Sequence, residues 1–210
     1  MVTKSLPGKF WKAGSVGIMP ALPFSSLARG LIVCCVVCFF GCATTQPFGL
    51  SLEGEPIDPL RERNNNAVVL IFVSNDCPIS NRYAPEIQRL KARFTPHDVR
   101  FWLVHPDPDE NPADIREHDR QYGLDLPVLR DPKHQLVRLA RAKVTPSAAL
   151  FVGDQLVYCG RIDDRLSDFG KERPEATQHD LEDSIEAVLN HRPVAARETK
   201  AIGCYIPTPR

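Results

Sequence analysis

The sequence predicts a single α/β domain, on three observations. Strand-like and helix-like segments alternate from residue 67 onward, the run Ala67 to Val73 (AVVLIFV) is continuously apolar and rich in β-branched residues, and two later extended runs are joined by Gly153 and Asp154. A strand apolar at every position belongs in the middle of a sheet covered on both faces, whereas a pair closed by a two-residue turn is antiparallel. The expected architecture is therefore a central mixed β-sheet flanked by helices on both faces.

Each element has its own warrant. Residues 42 to 66 are rich in Pro, Gly and Asn and are expected to form a linker and lead-in segment. After the apolar strand, residues 80 to 94 (SNRYAPEIQRLKARF) carry apolar side chains at helical spacing, interrupted by Pro85, which should bend the helix. Val99 to Val104 is a second strand, Ala113 to Tyr122 a helix ended by Gly123, and Pro127 to Leu129 a short extended piece. A helix from about Lys133 to Ala142 leads to Thr145 and Pro146, then to the hairpin strands Ala148 to Val152 and Leu156 to Arg161. A polar loop (DDRLSDFGKERPEA) precedes a last helix, roughly Gln178 to Asn190, with Thr177 and Asp180 spaced for a capping arrangement. The domain is thus expected over 67–192, followed by a tail, 193–210, that carries Cys204.

Composition excludes several classes. The 210 residues are 43% apolar and 25% charged, which fits an ordinary folded chain rather than a disordered one. Lys and Arg balance Asp and Glu at 26 each, so there is no electrostatic footprint for nucleic acid. Residues 1–41 hold four basic residues (Lys4, Lys9, Lys12, Arg29) and no acid, leaving 22 basic against 26 acidic from residue 42 onward.

That basic lead ends in LIVCCVVCFF, residues 31 to 40, followed by Gly41 and Cys42. Ten apolar residues are too few for a spanning helix, which needs about 20, and match the core of a secretory signal. A start at Met19 would leave a leader of conventional length. The FFGC ending resembles the bacterial lipoprotein lipobox, which implies a lipid on Cys42 and a protein tethered to a membrane in the cell envelope, exported to the periplasm. Ala43 rather than Asp after the lipidated residue points to the outer membrane. Of seven cysteines, Cys34, Cys35 and Cys38 belong to the leader, and Cys77, Cys159 and Cys204 remain in the exported chain. An odd number of thiols in an oxidising compartment leaves one reactive or externally paired.

The chemistry concentrates at SNDCPIS, Ser74 to Ser80, where the buried strand ends and a helix begins. A cysteine at a helix N-terminus meets unpaired backbone N–H groups and the positive end of the helix dipole. Such surroundings depress a thiol pKa from about 8.5 toward 7 or below, which makes the sulfur a somewhat better attacker and a much better leaving group. The reading requires this sulfur to be ionised and open to a visiting molecule.

The segment VVLIFVSNDCPISNRYAPEIQRL resembles the strand, active-site turn and proline-bent helix of the thioredoxin-like superfamily, over about residues 50 to 190. The resemblance implies that Cys77 is the redox nucleophile and that Thr145 and Pro146 form the cis-proline loop facing it. It also implies that these two, with Pro78 beside the sulfur, line the place where substrate is held. PVLRDPKHQLVRLARAKVTP, LVYCGRIDDRLSDFGKERPEATQHDL and the closing ETKAIGCYI resemble exported bacterial redoxins related to the alkyl hydroperoxide reductase and thiol-specific antioxidant group.

Two departures bear on mechanism. Ser80 stands where the second cysteine of a Cys-x-x-Cys motif would be, so another thiol must resolve a mixed disulfide: Cys204, Cys159 or an external thiol reductant. Leu70 stands where the peroxiredoxin motif has proline, and the Thr145–Pro146 loop replaces that family's arginine. These features favour thiol–disulfide exchange with protein or small-molecule thiols over the alternative, a thiol peroxidase working through a Cys77 sulfenic acid. A third reading, a copper carrier, meets Asn81 where a second cysteine ligand would be.

The remaining candidates have plainer readings. Ser80 either hydrogen-bonds a Cys77 thiolate or caps its helix locally. Cys159 alternates with Val157 and is expected in the core. The six histidines show no paired metal-ligand spacing and are expected on the solvated surface, with no cofactor or metal implied. HPDPDENPAD, residues 105 to 114, lacks the calcium-loop pattern and is expected to be a loop running into a helix.

Overall fold

The computed structural model describes residues 48–61 and 67–209. The expected leader, the cysteines within it and the lipid site Cys42 lie outside the described residues.

Within the stretch expected as a linker, β1 (Gly49–Leu50) and β2 (Pro56–Ile57) pair as a short antiparallel hairpin. The alternating part follows as β3 (Ala67–Phe72), α1 (Pro78–Phe94), β4 (Arg100–His105), α2 (Pro112–Tyr122), β5 (Val128–Arg130) and α3 (Gln135–Ala140). Then come β6 (Val144–Thr145), β7 (Ser147–Val152), β8 (Gln155–Gly160), β9 (Leu166–Asp168), β10 (Lys171–Glu172), α4 (Asp180–Leu189) and β11 (Cys204–Tyr205). Seven strands form one sheet in the order β2-β1-β5-β4-β3-β7-β8. It is mixed, as expected: β3, β4 and β5 run parallel, while β7 is antiparallel to both β3 and β8.

The apolar run is central for a physical reason. Ala67, Val69 and Ile71 pack into one layer with Tyr83, Ile87 and Leu90 of α1 and Leu181 and Ile185 of α4. Val68, Leu70 and Phe72 pack into the opposite layer with Leu136, Val137 and Ala140 of α3. Every position of β3 therefore removes apolar surface from water, at about 1.5–3 kcal/mol for each large side chain. This double coverage holds the chain rigid up to the point where β3 ends and the Ser74–Cys77 turn begins.

The ends of α2 follow local chemistry. The Asn111 side chain accepts from the Ala113 and Asp114 N–H groups, and Gly123, at φ 65°, closes the helix in the left-handed region. Helix α1 starts two residues earlier than its periodicity predicts, with Pro78 in its first turn, and continues through Pro85.

Four expectations are corrected. The capping arrangement at α4 does not form, because the Thr177 hydroxyl and N–H both donate to Asp164, at 2.6 Å each, and the helix begins at Asp180 after an uncapped His179. The polar loop before it contains the β9–β10 hairpin, whose exposed residues carry no apolar alternation. The histidines divide: His97, His179 and His191 are exposed, whereas His105, His118 and His134 are buried with polar partners. Finally, the core residue of β8 is Tyr158, while Cys159 faces the other way, half-buried, beside the C-terminal tail.

Candidate active site

The turn after β3 is built from Ser74 to Cys77, with the Cys77 N–H donating to the Ser74 carbonyl at 3.2 Å. Cys77 is the N-cap of α1, and its carbonyl accepts the first helical bond, from Asn81 N–H at 3.1 Å. The expected helix-terminus position of the sulfur is therefore present. Opposite it, the Thr145–Pro146 peptide bond is cis, as expected from the resemblance. The Cys77 thiol donates to the Thr145 carbonyl at 3.1 Å.

The tail completes this site. β11 pairs antiparallel with β6, placing Cys204 opposite Thr145 and Tyr205 opposite Val144, and the Ile206 N–H donates to the Lys143 carbonyl at 3.2 Å. Gly203 permits the approach: a Cβ there would lie 2.2 Å from the Thr145 carbonyl oxygen. Upstream, Thr199 anchors the segment. Its hydroxyl lies 2.6 Å from the hydroxyl of buried Tyr158, which itself donates to the Arg161 carbonyl, and it accepts from the Arg161 N–H at 3.1 Å. Gly160 lacks the Cβ that would otherwise sit 2.2 Å from the Thr199 hydroxyl oxygen.

The two sulfurs are electrostatically unlike. Burial pushes the Cys77 thiol up, but hydrogen bonds from Cys204 and from the Ser80 hydroxyl and N–H outweigh it and hold the group below its ordinary value. The Ser80 hydroxyl is buried without a partner while Cys77 is a thiol, so its contribution is to the ionised sulfur. Cys204 moves the opposite way, to about 11, through burial and its bond to Cys77. As pH rises, Cys77 therefore loses its proton before Cys204. Burial also pushes the Cys159 thiol up, and it is Cys204, not Cys159, that shares the lining of the cavity beside Cys77.

The expectation of an open sulfur is corrected: Cys77 is 1% exposed, because its own tail strand lies over it. A cavity of about 180 Å³, lined among others by Ser74, Cys77, Thr145 and Cys204, is the space that remains beside it. Pro78, on the rim of the turn, is exposed.

Sequence reasoning missed the support beneath the turn. Glu110 accepts from the Asn75 N–H at 2.7 Å and pairs with buried His105 Nδ1 at 2.8 Å. Burial pushes the Glu110 carboxyl up, yet His105, the Asn75 N–H and the Ser74 hydroxyl hold it below its ordinary value. Asn81 donates to the Asn75 carbonyl at 3.3 Å and meets His118 Nε2 at 2.7 Å, so the residue in the copper-ligand position is engaged in fixing the turn. Nothing in the local pattern of HPDPDENPAD identifies Glu110, since its pairing with His105 of the same stretch matters only because the Ser74–Asn75 turn, thirty-five positions earlier, is brought onto it. Among the described residues, Glu86, His179 and Glu182 are close enough together to hold a metal, but both carboxylates already face Arg89.

Comparison with known proteins bears on this arrangement. The profile of the AhpC/TSA family matches residues 44–157. An uncharacterized conserved protein from Geobacillus kaustophilus superposes with a TM-score of 0.65 at 25% identity, over 77% of this chain and 88% of that one. A hypothetical protein from Sinorhizobium meliloti does so with a TM-score of 0.63 at 22% identity, over 76% and 88%. A putative thiol:disulfide interchange protein DsbE from Chlorobium tepidum shares the fold with a TM-score of 0.53 at 22% identity, over 68% and 92%. No curated protein sequence matches.

Proposed function

Because the chain belongs to the AhpC/TSA family and has the thioredoxin-like fold of a redoxin, we propose that it is a thiol–disulfide oxidoreductase whose nucleophile is Cys77 and whose resolving thiol is Cys204. The observation that carries this reading is the hydrogen-bonded pair of sulfurs beside Thr145, one ionising early and the other late. The Cys77 thiolate attacks a substrate disulfide, the S–S bond breaks, and one substrate sulfur leaves as a thiolate that takes a proton. Cys204 then attacks the Cys77 sulfur and passes its proton to the second departing sulfur, leaving a Cys77–Cys204 disulfide. The dithiol supplies two electrons, and an external thiol reductant restores it. Ser80 stabilises the thiolate, while Thr145, Pro146 and Pro78 border the substrate. Cys77→Ser should abolish reduction of a model disulfide, and peptide mapping after mild oxidation should recover Cys77 linked to Cys204. Unchanged activity, or a link to Cys159 instead, would refute the assignment.

The small cavity supports a second reading, since with the tail in place the roughly 180 Å³ beside Cys77 has room for a peroxide without β11 being displaced. Cys77 would then be oxidised by peroxide to a sulfenic acid with release of water or alcohol, and condensation with Cys204 would release water and form the same disulfide. Rapid, saturable oxidation by hydrogen peroxide in stopped flow would favour this reading over exchange.

The leader and Cys42 support an exported protein tethered by lipid in the bacterial cell envelope, with its domain in the periplasm. No helix among the described residues is long and apolar enough to cross a membrane. Cys42→Ala should move the protein from the membrane fraction to the soluble periplasmic fraction; retention in the membrane would overturn the tether.

A further inference from the structure

We propose that residues 203–206 are a built-in stand-in for the substrate, and that the substrate is an extended polypeptide whose reacting cysteine directly follows a glycine. The proposal rests on the exchange reading and names its substrate class. The tail is not merely near Cys77. It is a strand in register, with Cys204 opposite Thr145, Tyr205 opposite Val144 and Ile206 bonded through its N–H to Lys143. That register carries the Cys204 sulfur onto Cys77.

Any strand that takes this seat meets the same walls. At the position before the cysteine, a Cβ would stand 2.2 Å from the Thr145 carbonyl oxygen and 2.7 Å from its carbon, both backbone atoms of a strand packed into the site. Only glycine fits without moving them. After the cysteine, Tyr205 is 82% exposed, so that position selects nothing. Two residues after it, Ile206 packs against the layer formed by Leu136, Val137 and Ala140, which favours an aliphatic side chain. The seat therefore reads Gly-Cys-any-aliphatic.

Because Cys77 is covered while the tail is seated, substrate and tail take the place in turn. The substrate strand displaces β11, Cys77 attacks the sulfur of its cysteine, and that cysteine's former partner leaves as a thiolate. When the substrate strand lifts away, still joined through its sulfur, β11 returns and Cys204 attacks Cys77. The peptide cysteine departs reduced, carrying the proton from Cys204. Resolution and product expulsion are then one event.

The test uses reduced full-length protein and two peptides, Ala-Ile-Gly-Cys-Tyr-Ile and Ala-Ile-Ala-Cys-Tyr-Ile, each with its cysteine in a mixed disulfide with thionitrobenzoate. Chromophore release is followed in stopped flow and normalised to each peptide's rate with dithiothreitol. The glycine peptide should react at least about tenfold faster, since a contact this short must be relieved by moving backbone. Equal rates would overturn the proposal and leave Cys77 as the nucleophile, whereas no reaction with either peptide would overturn the exchange reading itself. As a second measurement, Gly203→Ala in the full chain should expel the tail and raise Cys77 alkylation by iodoacetamide about tenfold, with the circular dichroism spectrum unchanged. Alkylation at the wild-type rate would sink the proposal.

Discussion

Replacing Thr199 with valine should uncouple the tail from the domain. The substitution keeps the shape and removes one hydroxyl, which lies 2.6 Å from the Tyr158 oxygen and accepts from the Arg161 N–H at 3.1 Å. Tyr158 spends its own proton on the Arg161 carbonyl, so Thr199 is the donor to Tyr158 and both bonds are lost together. In the seated state the Arg161 N–H is then left without its acceptor, at a cost of about 1–3 kcal/mol, and opening the tail lets water satisfy it. The seated-to-open ratio should fall by about 5- to 150-fold, and the loss should appear as local opening before it appears as global unfolding. The assay is alkylation of Cys77, mapped by mass spectrometry and compared at the alkaline plateau, where differences in ionisation no longer contribute. Thr199→Ser, which retains the hydroxyl, should stay close to wild type. A valine variant alkylated no faster than wild type would refute the idea that this anchor keeps Cys77 covered.

Three further outcomes follow from the same contacts. The first thiolate absorbance step in a pH titration should lie below the ordinary cysteine range and vanish in Cys77→Ser, with Cys204 ionising near 11; a surviving early step would place the charge elsewhere. Glu110→Ala should cost about 1–3 kcal/mol in urea unfolding because it leaves His105 and the Asn75 N–H buried without their partner, and Glu110→Gln, which keeps an acceptor, should cost less. Asp164 has its carboxyl held low despite burial by the Thr177 hydroxyl, the Gln178 and Thr177 N–H groups and Arg173. Its stabilisation should be complete above the ordinary Asp range and lost only as pH falls below it, so Asp164→Asn should be less stable at neutral pH and lose less on acidification.

The sequence makes some of this visible and hides the rest for identifiable reasons. The β3 strand and the helix-terminus cysteine are local patterns, since an unbroken apolar run needs two covered faces and a turn after it needs a helix start. The hairpin is equally local, being fixed by Gly153 and Asp154. What stays hidden depends on partners distant in the chain. Glu110 matters because Asn75, thirty-five positions earlier, comes to it, and Thr177 fails to cap α4 because Asp164 takes its hydroxyl first. Cys159 and Tyr158 differ by one position, and in a strand one position is the difference between two faces. The closed state of Cys77 was likewise illegible, because the residues that cover it lie more than a hundred positions away.

The stretch that anchors Cys204 has a second effect at the rim of the sheet. β8 is an edge strand, and such a border offers free amide and carbonyl groups to any neighbouring polypeptide. Residues 197–199 run along it, with the Cys159 N–H donating to the Arg197 carbonyl at 2.9 Å and the Thr199 N–H donating to the Cys159 carbonyl at 3.1 Å. The border is blunted there by the molecule's own chain. A chain clipped before residue 197 would lose its second thiol and acquire an adhesive margin in the same cut, and so would be prone to self-association as well as redox-impaired.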